Sequence, residues 1–185
     1  MEGIFVQTTL DERDLEKIAI TLELRGHRPE AIGKQVSTFE KVPMSYCSFV
    51  CEGHPGVYGN RQGVAFETDE KPIYACPADV FELMRSGTYL PGHERFLFES
   101  VEAMLIKYPT GKDFCDDFKG FFQKLVDEKY YPNGEGKFSL PLQRHDYCLR
   151  SDWNVGYNEV TFRKPTKVKN VRIFKNQEEL WSLLR

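Results

Sequence analysis

Two aromatic-rich stripes at helical spacing occupy the middle of this chain, with short strand-like runs on both sides. From about Glu94 to Tyr108, the residues Leu97, Val101, Met104, Leu105 and Tyr108 fall on one helical face. From about Lys112 to Tyr130, Phe114, Phe118, Phe121, Phe122 and Leu125 do the same. Apolar residues recurring every three to four positions give a helix one face that must be buried, so both stripes are expected in the core. A shorter helix is expected to open at Pro77-Ala78-Asp79, carry Val80, Phe81 and Met84, and stop at Gly87. The run YPNGEG ends the third helix, because proline and glycines cannot continue it.

Before this helical block, Gly3–Thr8 alternates as a strand, and Thr9 with Glu12 has the spacing of a capping box. The following helix carries Leu15, Ile18, Ala19 and Leu22 on one stripe, with Gly26 as its expected stop. Residues 27–41 are polar and irregular. Ser45–Val50, Gly63–Glu67 and Pro72–Cys76 are then strand-like, and Gly53, Gly56 and Gly59 crowd the loop between the first two. Such a loop fits a tight turn or a close approach of backbone to a ligand. After the helical block, strands are expected at Phe138–Leu142, His145–Leu149, Val155–Phe162 and Val168–Phe174, and Asn176 caps a last helix that ends in Leu183 and Leu184. This order specifies an α+β fold: one domain over residues 1–185, with a mixed or antiparallel sheet in two parts and a helical insert at about 77–131.

The chain's 185 residues, 41% hydrophobic and 29% charged, suit a core of ordinary size. A net charge of -3 gives no electrostatic pull toward nucleic acid or anionic lipid. The start, MEGIFVQTTLDERD, is acidic where a secretion leader is basic, and no run of apolar residues is long enough to span a bilayer. With five scattered cysteines, a cytoplasmic chain carrying reduced thiols is expected, with no membrane partner.

Glu159 breaks its local pattern. Along the expected strand it shares a face with Trp153, Val155 and Tyr157, where a carboxylate costs free energy unless water, a cation or a ligand compensates it. A solvated sheet edge would also explain it. Cys47 and Cys51 have zinc-like spacing, with His54 and Cys76 nearby, but a second tight pair is missing and no metal site is expected. His145 with Asp146, and His93 with Glu94, are sequence neighbours that a strand would point opposite ways, so spacing makes neither an acid–base pair. Cys148 fits a small core residue.

Three blocks of the chain resemble the ADP-ribosyltransferase-like superfamily, especially its small abortive-infection branches from phage-defence settings. IFVQTTLDERDLEKIAITLELRG is similar to the family's opening strand and helix. VPMSYCSF with GVYGNRQGVAFETD is similar to its second block, a strand pair with a small or aromatic residue near the nicotinamide. WNVGYNEVTFRKPTKVKNVRIF resembles its final block, where a Glu on a strand is followed by a short polar stretch and another strand. The resemblance implies an ADP-ribosyltransferase-like fold and NAD as substrate, with Glu159 as the catalytic glutamate. It also implies that Gln7 and Thr8 grip the nucleotide and that Tyr46 or Tyr58 takes the aromatic position; Asn60 and Arg61 are side-chain donors that the glycine loop itself carries. Gln7 departs from the His or Arg of active members.

The chemistry gives these residue types a reason. Breaking the nicotinamide–ribose bond develops positive charge on the sugar, which a fixed carboxylate stabilises. A tyrosine can stack on nicotinamide, and loop amides can meet a diphosphate without net basic charge. Three function classes follow. The first is an NAD-dependent transferase or glycohydrolase, such as a toxin or defence effector, with an unidentified macromolecular acceptor. The second is a non-catalytic descendant that binds a nucleotide or a protein. The third is a nuclease holding Mg²⁺ between Asp146 and Glu159.

Overall fold

The computed structural model describes residues 2–8, 11–24, 44–56, 62–78, 84–85, 88–128 and 158–184. In chain order the elements are β1 (Gly3–Thr8), α1 (Glu12–Thr21), β2 (Met44–Cys51), β3 (Gly63–Glu67), β4 (Tyr74–Cys76), β5 (Met84–Arg85), β6 (Thr88–Tyr89), a 3₁₀ helix (His93–Phe96), α2 (Val101–Lys107), α3 (Gly111–Asp127), β7 (Glu159–Arg163), β8 (Lys169–Phe174) and α4 (Gln177–Ser182). The expected strands at 138–142 and 145–149 lie outside the described residues, as does the first part of the one expected from Val155.

Six strands form one sheet in the order β4-β7-β2-β1-β3-β8. Every pairing in it is antiparallel, so the mixed alternative is corrected. The two expected parts meet within β2. Its first half, Met44–Cys47, pairs with β7, whereas its second half pairs with β1 through Gly3–Val6. Beyond Val6, the pairing of β1 continues along β3 alone, Gln7 with Val64 and Thr8 with Gly63. The end of β1 and the start of β2 therefore diverge. Gly63 permits a close crossing here, since a Cβ on it would stand 2.5 Å from the Gln7 carbonyl oxygen and 2.6 Å from the Phe174 ring.

Helices cover both faces. On one, Leu15 and Ile18 of α1 and Val101, Met104 and Leu105 of α2 pack with Phe49, Phe66, Val160 and Phe162. On the other, Leu180 of α4 packs with Ile4, Val6, Val50, Ala65 and Phe174. Phe96, Tyr108, Phe114, Phe118 and Phe122 make a third, aromatic cluster with Tyr74 and Cys76 of the edge strand.

Several boundaries differ from the sequence expectation. Asp11 caps α1 instead of the Thr9–Glu12 box, its carboxylate accepting from the Arg13 amide at 2.9 Å. α1 ends at Thr21, with Leu22 in the left-handed region at φ 52 and 45% exposed, well before Gly26. The helix expected at Glu94–Tyr108 is broken. Phe98 exchanges two 2.8 Å backbone hydrogen bonds with Ala75, completing the sheet edge at β4, and Ser100 then caps a shorter α2. The expected Lys112–Tyr130 helix is α3, Gly111–Asp127. Met84, expected on a helix, lies in a two-residue ladder with Tyr89.

Candidate functional site

The registers bring one row of side chains together across β4, β7 and β2. Tyr74 is opposite Thr161, and Thr161 is opposite Tyr46. Residues opposite one another in an antiparallel ladder share a face, so these three do. Glu159, opposite Cys76, lies on that same face one row further along β7. It is only 3% exposed. Its Oε1 accepts a 2.6 Å hydrogen bond from the Tyr74 hydroxyl.

This contact compensates part of the desolvation of a buried carboxylate, and it is charge-assisted and therefore strong. Burial, the adjacent Glu159 charge and the hydrogen bond itself all push the Tyr74 phenol far above its ordinary value, so it remains a donor. Thr161 stands beside the same phenol. Burial, and secondarily Glu159, also raises the Cys47 thiol, which stays protonated and inert.

Immediately before β7, Asn158 fixes the strand's entry. Its buried carboxamide accepts from the Phe49 amide at 2.8 Å and donates to the Phe49 carbonyl at 2.7 Å. A side chain thus takes over the ladder where the β7 strand has yet to begin. The consequence is a well-determined position for the next residue, Glu159.

The other expected site residues divide. Thr8 and Tyr46 are half-buried and share the Glu159 face, on the two strands that diverge. Gln7 is buried, 4% exposed, and alternates with Thr8 onto the opposite face, the side of Phe5 and α1. Gln7 and Glu159 therefore do not line one face of the sheet. Tyr58, Asn60, Arg61 and Asp146 lie outside the described residues. One participant was missed by sequence reasoning, Tyr74; Ser45, whose buried Oγ has no hydrogen-bond partner among the described residues, pairs with Phe162 and alternates onto the opposite face. Tyr74 could not be found from one sequence, because its importance comes from a cross-strand partner 85 positions away.

The weighed cysteine and histidine groups are also placed. Cys47 and Cys51 alternate onto the α1–α2 face, whereas Cys76 is on the Glu159 face. His54 is fully buried and its Nε2 lies 2.7 Å from the Tyr108 carbonyl, the role of an N–H donor. Burial holds its pKa below the usual value. Among the described residues, no three His, Cys, Asp or Glu side chains gather as a metal cluster. His93 and Glu94, expected to point apart on a strand, sit instead at the 3₁₀ helix with their side chains 3.5 Å apart and Glu94 exposed.

Chemically, the site is a preorganised carboxylate beside the Thr161 hydroxyl and the Tyr74 and Tyr46 phenols. It can accept hydrogen bonds from a polyhydroxyl ligand and stabilise nearby positive charge. Among the described residues, no helix is long and apolar enough to cross a membrane. No family model, curated protein or solved structure matches the chain.

Proposed function

We propose that the protein handles NAD through the Glu159 face, as an ADP-ribosyltransferase or NAD glycohydrolase of the ADP-ribosyltransferase-like kind. The observation that carries this reading is a carboxylate at the head of β7, buried and held by the Tyr74 phenol, beside the point where β1 and β2 diverge. In this reading the ribose hydroxyls donate to Glu159, Tyr46 stacks on nicotinamide, and Thr8 contributes a hydroxyl from the end of β1. The loop amides and side chains around Tyr58, Asn60 and Arg61 meet the diphosphate. The setting would be cytoplasmic, with a macromolecular acceptor, as for a toxin or a phage-defence effector.

The specific alternative is a non-catalytic nucleotide- or protein-binding descendant. Two features favour it: Gln7 faces away from Glu159, and Glu159 is nearly inaccessible with the phenol already on it.

Calorimetry with NAD and an assay of nicotinamide release separate the readings. In the enzyme, Glu159→Gln lowers release by about 10²–10³-fold, the usual effect of removing one transition-state contact. NAD binding without turnover, unchanged in Glu159→Gln, favours the binding protein. Absence of NAD binding combined with Mg²⁺-dependent cleavage of DNA or RNA overturns both and promotes the nuclease.

A further inference from the structure

We propose that Tyr74 is the positioning residue of the site: the helical insert grips its ring, and its hydroxyl fixes the direction and ionised state of Glu159. The inference rests on Glu159 being the functional carboxylate. It adds a division of labour, in which the sheet carries the charge and the insert sets it.

Tyr74 belongs to two structures at once. Its ring is buried in the aromatic cluster of Phe96, Tyr108, Phe114 and Phe118, contributed by the 3₁₀ helix, the end of α2 and α3. Within that cluster, Phe96 contacts the rings of Tyr108, Phe114 and Phe118 at centroid distances of 5.5–6.4 Å, which leaves the packing little freedom. Its hydroxyl leaves the cluster and meets Glu159 at 2.6 Å. An aromatic residue locked at one end by packing presents its polar tip at a fixed point. A ligand hydroxyl approaching Glu159 would therefore find the carboxylate already oriented and one of its lone pairs occupied.

Among the described residues, the titratable groups facing Glu159 from neighbouring strands are Tyr74 and Cys76 on β4 and Tyr46 on β2, with Cys47 close enough on β2 to feel its charge. Of these, Tyr74 acts on Glu159 directly: the phenol is held protonated by burial and by the carboxylate, and its hydrogen bond favours the ionised carboxylate in return. Removing the hydroxyl should therefore raise the Glu159 pKa even with every packing contact kept.

The test is a carboxyl ¹³C NMR titration of glutamate-labelled protein, with the Glu159 resonance assigned through Glu159→Gln. In Tyr74→Phe the Glu159 midpoint is expected to rise by about one pH unit or more, as lost hydrogen bonding to a buried carboxylate predicts. Fluorotyrosine incorporation makes the phenol a stronger donor and is expected to lower the same midpoint, which keeps the test open if Tyr74→Phe folds poorly. A Glu159 midpoint that moves in neither protein overturns the proposal, because a purely structural Tyr74 would change melting without changing the titration. This readout needs no NAD. Failure of the NAD reading appears separately, as a parent protein that neither binds nor cleaves the dinucleotide. If the parent is active, Tyr74→Phe is expected to shift the acid limb of its pH profile upward and to lower kcat more than it raises KM.

Discussion

One face of the sheet has two chemistries. Toward β1, β3 and β8 it is apolar, with Ile4, Val6, Ala65, Val50 and Phe174 packed beneath Leu180 of α4. Toward β7 and β4 it carries Glu159, Thr161, Ser48 and the Tyr74 hydroxyl, all buried, with Tyr46 half-buried beside them. The two halves belong to one sheet with the same pleat and share only β2, and both are buried. Only the apolar half gains free energy simply by leaving water. The polar half gains little from desolvation and must satisfy each group individually. That contrast separates residues that hold the fold from residues that the fold holds in place.

The largest effect should come from the apolar half. Phe174 is fully buried against Gly63 and beneath α4. Phe174→Ala should cost about 3–5 kcal/mol, lost transfer free energy plus a cavity. Urea denaturation measures it, and a loss below 1 kcal/mol would show that α4 is not a structural lid. Asn158→Ala should follow, at about 2–4 kcal/mol, because two buried main-chain groups of Phe49 lose their partners at once. Asn158 is polar but belongs with the fold. If its loss were neutral, the entry into β7 would be fixed by something else.

His54 supplies a pH-dependent version of the same distinction. Its loop docks against the α2–α3 junction: the Gly111 amide donates to the Gly53 carbonyl at 3.1 Å, and His54 meets the Tyr108 carbonyl. Burial lowers its folded pKa below the ordinary 6.5, while Asp113 pulls the other way. The unfolded state therefore takes up the proton first as the solution is acidified. This contribution to stability is complete above pH 6.5 and is lost as the pH falls through the lowered folded value. The urea midpoint of the parent should fall from pH 7.5 to pH 5.5, and that of His54→Gln should fall less; equal dependence on pH in the two proteins would remove His54 as the cause.

The elements that were legible in the sequence are those with a self-contained signal. β3 spans Gly63–Glu67 as its apolar run implies, and Asn176 caps α4 with its side chain on the Glu179 amide. α3 carries its phenylalanine stripe into the core. The failures depend on distant partners. Nothing local in Phe98 says that its backbone must pair with Ala75 and break a helix. Glu159 was visible because it violated its own alternation, but its partner Tyr74 sat unremarked in a short run of ordinary strand residues. Gln7 shows the same limit from the other side. Its place at the end of β1 was legible, and its face depended on a register that sequence does not contain.

The smallest expected effect is the most discriminating. Glu159→Gln removes a buried negative charge, which relieves desolvation, and keeps an oxygen that can still accept from the Tyr74 hydroxyl. A neutral hydrogen bond replaces a charge-assisted one, which loses stability in the opposite direction. The two changes should nearly cancel, leaving unfolding free energy within about 1 kcal/mol of the parent. Thermal and urea denaturation at pH 7 decide it. A loss approaching that of Phe174→Ala would mean that the charge itself braces the sheet, and the polar half would then be part of the fold's own support. A variant as stable as the parent, or more so, is what a carboxylate retained for a ligand predicts: the folded chain does not need its charge.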